Sequence, residues 1–119
     1  NSYYGGIDLH TVSHGEAMEA LFLHRFGQAG LYILDEPEAS LSAQMQLNFI
    51  SRIHDLAQHG AQFIIATHSP IIIFTPGSAL YNLSEGEVEL VAPEDTELFS
   101  IYKAVLSSSG AYLERVLNR

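Results

Sequence analysis

The sequence predicts an α/β fold: parallel strands flanked by helices, with a short hairpin added. Three observations predict it. Two short, continuous apolar runs, residues 31–34 (Leu-Tyr-Ile-Leu) and 63–66 (Phe-Ile-Ile-Ala), each read as a parallel strand buried on both faces. A segment with helical apolar spacing separates them, so the two runs form strands joined by a right-handed crossover. Each run also ends abruptly in polar residues, Asp35-Glu36 after the first and Thr67-His68 after the second. Those are the carboxyl ends of the strands, where open α/β sheets gather their functional groups.

Taken in order, residues 1–10 have turn character and no clear period. Residues 13–26 turn helical, with Ala17, Ala20, Leu21 and Leu23, and Ser13 lies three residues before Glu16, the spacing of a capping box. Gly27 and Gly30 are expected to stop that helix. The first strand follows. Ser40 or Ser42 is placed to cap the next helix, which runs to about His59 before Gly60 ends it. Met45, Phe49, Ile53 and Leu56 share its apolar stripe, opposite Gln44, Asn48, Ser51, Asp55 and Gln58. The second strand covers residues 62–66. Residues 79–83 and 87–91 read as a hairpin around Ser84-Glu85-Gly86. Residues 95–106 and 112–117 read as helices. Tyr32, Tyr81 and Phe99 are expected in the core.

Composition bounds the function. The chain has 119 residues, 47% of them hydrophobic, with fourteen acidic residues against five basic and a net charge of −9. That balance argues against a nucleic-acid or anionic-membrane binder acting through this segment. The absence of cysteine excludes disulfides, thiolate nucleophiles and cysteine-based zinc sites. No apolar run is long enough to span a bilayer. No basic stretch followed by an apolar one opens the chain, so a cytoplasmic location is expected. Asn1 in place of methionine reads as a fragment or a processed product. Six histidines show no i, i+4 pair on an expected helix and no His-Glu-x-x-His pattern, so no dedicated metal site is expected. The acids at positions 85, 87, 89, 94, 95 and 97 read as a solvated surface.

Three segments carry chemistry. In the first, residues 31–37, an acidic pair emerges from an apolar strand, where carboxylates are costly unless a cation lies near. Asp35 suits a magnesium ion, largely through its water shell, and Glu36 suits polarising a water beside a γ-phosphate. The plain alternative is two solvated acids at a turn. The second, residues 12–16 (Val-Ser-His-Gly-Glu), joins a hydroxyl and a glycine backbone at a helix start, which suits an anion. Its plain alternative is an ordinary helix cap. In the third, residues 64–70, His68 stands at a strand's carboxyl end and suits donation to a phosphate oxygen. Alone, it reads as a hydrogen-bonded surface residue.

Together the three segments resemble the ABC-type ATPase family, in its soluble SMC/RecF-like and AAA-labelled branch. Residues 12–16 are similar to the family signature (Leu-Ser-Gly-Gly-Gln/Glu), and residues 31–36 to its Walker B strand with the catalytic glutamate. Residues 39–42 fall where the D-loop belongs, and His68 where the switch histidine belongs. Gly15 precedes Asp35 by twenty residues and Glu36 precedes His68 by thirty-two, an order and spacing that also fit. Two positions depart from the family pattern. His14 stands for the first signature glycine, and Ser42 for the D-loop aspartate of transporter-type members.

The resemblance implies roles. Asp35 would serve magnesium, Glu36 would be the catalytic base and His68 the γ-phosphate sensor. Ser13, Gly15 and Glu16, with Ser42, would bind nucleotide held by a partner subunit. The cofactors implied are ATP and Mg2+, and the intact protein is expected to be a homodimer that closes on ATP. Such a domain also needs a phosphate loop, Gly-x-x-x-x-Gly-Lys-Ser/Thr. Lys103 is the only lysine, Ala104 follows it, and no glycine lies in the fifteen residues before it. The expected fold is therefore the C-terminal half of a P-loop NTPase (RecA-like/ABC) domain over residues 1–119, inactive by itself. Its second strand, which pairs with the phosphate-loop strand in the family, would then offer an unpaired apolar edge. Two alternatives stand beside this reading: a non-catalytic interaction module that kept the fold, and the nucleotide-binding subunit of a transporter. Nucleic acid enters by family only, and no membrane role is expected.

Overall fold

A computed structural model describes residues 29–119 and the backbone of two short strands, β1 (Tyr3–Tyr4) and β2 (Ile7–Asp8). The helix expected at 13–26, with its stop at Gly27, lies outside the described residues. β1 and β2 pair antiparallel, Tyr3 with Asp8 and Tyr4 with Ile7. This ladder was not expected of residues 1–10, although Gly5-Gly6 between two short runs is a recognised hairpin signal.

The elements that follow are β3 (Gly30–Asp35), α1 (Ala43–Gln58), β4 (Ala61–Ala66), β5 (Leu80–Ser84), β6 (Glu87–Val91), α2 (Glu97–Leu106) and α3 (Ala111–Leu117). They divide into two compact units, residues 1–76 and 77–119. Gly30 opens β3, where a helix stop had been expected.

In the first unit, β3 and β4 run parallel and in register, from Gly30 opposite Ala61 to Asp35 opposite Ala66. Tyr32 and Leu34 point to one face, with Phe63 and Ile65 beside them. The stripe of α1 formed by Phe49, Ile53 and Leu56 buries that face. Tyr32 and Phe63 stack at 5.3 Å between ring centroids. Ser42 caps α1, its Oγ accepting the Met45 N–H at 3.2 Å. Met45 itself is largely exposed, so the buried stripe begins at Phe49. Gly60 turns the chain from α1 into β4 at φ 101°, a conformation that side chains disfavour.

The other face departs from expectation. Leu31 is 56% exposed, Ile33 49% and Ile64 53%. The apolar runs therefore alternate between a covered and an uncovered face, where burial on both had been read from them. The cause is that, among the described residues, α1 covers one face of the pair only. β4 has a strand neighbour on its β3 side alone among the described residues.

The second unit is a hairpin followed by two helices. β5 and β6 pair from Leu80 opposite Val91 to Ser84 opposite Glu87. Glu85 and Gly86 both take positive φ, the two-residue turn whose twist suits a hairpin. Tyr81, Leu83, Val88 and Leu90 share one exposed face, so Tyr81 is not the core residue it was expected to be. Thr96 caps α2, its Oγ1 accepting the Phe99 N–H. No helix among the described residues is long and apolar enough to cross a membrane.

Candidate functional site

The site forms where β3 and β4 end side by side. Asp35 is the last residue of β3 and lies opposite Ala66. Strand alternation from the buried Leu34 puts Asp35 on the exposed face. Glu36 then leaves the strand geometry. Its backbone is left-handed, φ 50° and ψ 57°, while its N–H donates to the Ala66 carbonyl at 2.7 Å. That bond extends the ladder one residue past the strand. A non-glycine residue held in this region costs about 1–2 kcal/mol and persists where its surroundings fix it. Pro37 is buried and opens a 3-10 turn, Pro37–Ser40, that carries the chain away to α1.

This geometry brings Glu36 and His68 together. Glu36 Oε2 lies 3.5 Å from His68 Nδ1, with both side chains mostly in solvent. A contact so exposed contributes little stability, so its interest is positional. Ser42 is held at the start of α1 as its cap. Ser13, Gly15 and Glu16 lie outside the described residues.

A second carboxylate organises the site, and the sequence reading missed it. Glu38, in the 3-10 turn, accepts the Thr67 hydroxyl on Oε1 at 2.7 Å and the His68 N–H on Oε2 at 2.9 Å. Thr67 Oγ1 in turn accepts the Ser69 N–H at 3.0 Å. Ser69 is buried. Its hydroxyl donates to Gln46 Oε1 and accepts the N–H groups of Ile71 and Ile72 at 3.1 and 3.0 Å. Gln46 Nε2 donates to the Leu41 carbonyl at 3.3 Å, closing the path back to the loop before α1. The available signal was the Thr-His-Ser-Pro stretch, whose hydroxyls and free amides need local acceptors and donors.

Glu36, Glu38 and His68 thus lie around one corner of the sheet, with Asp35 beside them. Among the described residues, no group of three or more His, Asp or Glu side chains could hold a metal by itself. Magnesium does not require such a cage, because it commonly keeps one or two carboxylates and completes its shell with water and phosphate oxygens. An exposed Asp35 at a strand end fits that demand. The phosphate cradle does not come from these residues: Lys103, the only lysine, sits on α2 with Nζ 5.8 Å from the Phe99 ring centroid.

Residues 18–73 match the family model of the AAA ATPase domain. The match lies within the first compact unit and includes Asp35, Glu36, Glu38, Ser42 and His68. It supports a P-loop ATPase-like family and, at that level, ATP binding and hydrolysis with magnesium. An α/β unit with parallel strands is compatible with part of such a domain. No curated protein and no solved structure matches the chain.

Proposed function

We propose that this chain forms the hydrolytic half of an ABC-type ATPase of the soluble SMC/RecF-like branch. The observation that carries the reading is the approach of Glu36 and His68 at the carboxyl ends of two neighbouring parallel strands. Glu36 is the general base, taking a proton from the water that attacks the γ-phosphorus. His68 donates a hydrogen bond to a γ-phosphate oxygen as charge gathers there. Asp35 holds the magnesium shell, and the ion, when bound, neutralises charge on the phosphate oxygens. Ser13, Gly15 and Glu16, with Ser42, meet nucleotide held by a second subunit. A phosphate loop supplied from outside these residues completes each site, which makes the intact protein an ATP-dependent homodimer and this chain inactive alone.

The test is Glu36→Gln in the intact protein. Removing the base while keeping the shape should leave ATP bound but uncleaved, so the variant should accumulate as a dimer with ATP. Light scattering that finds only monomer with Mg-ATP refutes the dimer. Titration of this chain alone with Mg-ATP checks the half-domain reading, and micromolar binding with turnover would sink it.

A further inference from the structure

The least explained group at this corner is Glu38, a third carboxylate within four residues that touches neither the Glu36 side chain nor the proposed position of the magnesium ion by any bond described above. Both its oxygens are spent on the loop after β4, one on the Thr67 hydroxyl and one on the His68 backbone N–H. Glu36 meets the same histidine at its ring, through Oε2 and Nδ1. His68 is therefore held at its backbone by one carboxylate and faced at its ring by another. The chain carrying Glu36 and Glu38 is itself fixed by the Glu36 N–H bond to Ala66 and by the buried Pro37.

We infer that Glu38 is a positioning residue: it clamps the Thr67-His68 peptide to the turn after β3 and so sets the spacing of Glu36 and His68. The inference rests on the ATPase reading above. Charge matters to the clamp. A carboxylate accepts on both oxygens, and its hydrogen bonds are shorter and stronger than those of neutral acceptors. Glutamine in the same outline keeps a neutral, weaker acceptor for the His68 N–H, and its amide nitrogen cannot accept the Thr67 hydroxyl, so that bond must reverse or break and the charge is lost. The side chain of His68 is mostly in solvent, so core packing does not hold it, and the backbone bond to Glu38 is its described restraint. Thr67 passes the restraint on, since its oxygen also accepts the Ser69 N–H. From there Ser69 and Gln46 tie the loop to α1.

Glu38→Gln in the intact protein tests this. Two readouts are taken together: steady-state ATP turnover and the amide resonance of His68 in 15N-histidine-labelled protein. Glu38 does not touch nucleotide in this scheme, so KM for ATP should stay within about twofold. Misplacing the base and the sensor should lower kcat about tenfold to a hundredfold. The His68 amide should move upfield and exchange faster as its carboxylate acceptor is lost. Wild-type kcat in the variant, or an unmoved His68 amide, overturns the positioning role and leaves the ATPase reading standing. A wild-type protein without ATP turnover overturns that reading and the inference with it. If Glu38→Gln does not fold, Thr67→Ala removes one arm of the clamp and should lower kcat severalfold, while Thr67→Ser, which keeps the hydroxyl, should retain it. Equal rates for Thr67→Ala and wild type overturn the proposal.

Discussion

Leu34 and Ile33 are adjacent on β3 and differ chiefly in the face they occupy, which allows a paired test of the sheet. Leu34 is 1% exposed among Phe49, Ile53 and Ile72, whereas Ile33 is 49% exposed opposite Ile64. Truncating either to alanine removes three carbon groups. For Leu34 the transfer loss is about 2.4 kcal/mol, at about 0.8 per group. The cavity left beside Phe49 should raise it to about 3–4 kcal/mol, within the range found for buried leucines. Half of Ile33 is already in water and no closed cavity forms, so its loss should be about 1 kcal/mol. Urea unfolding followed by circular dichroism measures both, and the slope should stay unchanged if only stability shifts. An Ile33→Ala cost equal to that of Leu34→Ala would refute the reasoning, because it would mean that the outer face is buried in solution.

Ser69→Ala should cost about 2 kcal/mol despite removing a single oxygen, since the amides of Ile71 and Ile72 and the Gln46 side chain lose one shared partner in a buried place. The same urea measurement checks it, and a loss below about 0.5 kcal/mol would show that water replaces the hydroxyl. Glu36→Gly should raise stability by about 0.5–1 kcal/mol, because it relieves a left-handed backbone costing about 1–2 and returns part of that as glycine's chain entropy. ATP turnover of the intact protein should vanish in the same variant, and a destabilised variant would show that the Glu36 side chain holds the turn.

The parts of the fold legible in the sequence are those set by local pattern. The apolar runs marked β3 and β4, Gly60 and the α1 stripe marked the crossover, and Ser84-Glu85-Gly86 marked the hairpin turn, of which Ser84 falls in β5. Burial on the outer face was not legible, because a continuous run such as Leu-Tyr-Ile-Leu states that a residue is apolar, not that anything covers it. Leu31 and Ile33 depend on what packs there, which is a property of the whole fold. Tyr81 failed in the same way: it lies on a hairpin face that is exposed among the described residues. At the site, Asp35, Glu36 and His68 stood out because charge or imidazole follows directly on an apolar strand. Glu38 did not, since its role depends on β4 ending beside β3, a contact thirty residues away in the chain.

The four residues from Asp35 to Glu38 show how backbone conformation gives three similar carboxylates different surroundings. Asp35 still obeys the strand, so alternation turns it away from the buried Leu34 and leaves it open to solvent. Glu36 has left-handed torsions, and its peptide completes the ladder to Ala66 while its side chain meets the ring of His68. Pro37, buried at the start of the 3-10 turn, fixes the direction in which the chain leaves. Glu38 is thereby carried back to the loop after β4, where hydroxyl and amide donors spend both its oxygens. A carboxylate whose oxygens are both engaged by donors is a good strut, whereas Glu36, facing only a solvated imidazole among the described contacts, keeps an oxygen for water. The proposed assignment of base to Glu36 and of support to Glu38 rests on the turn that separates them.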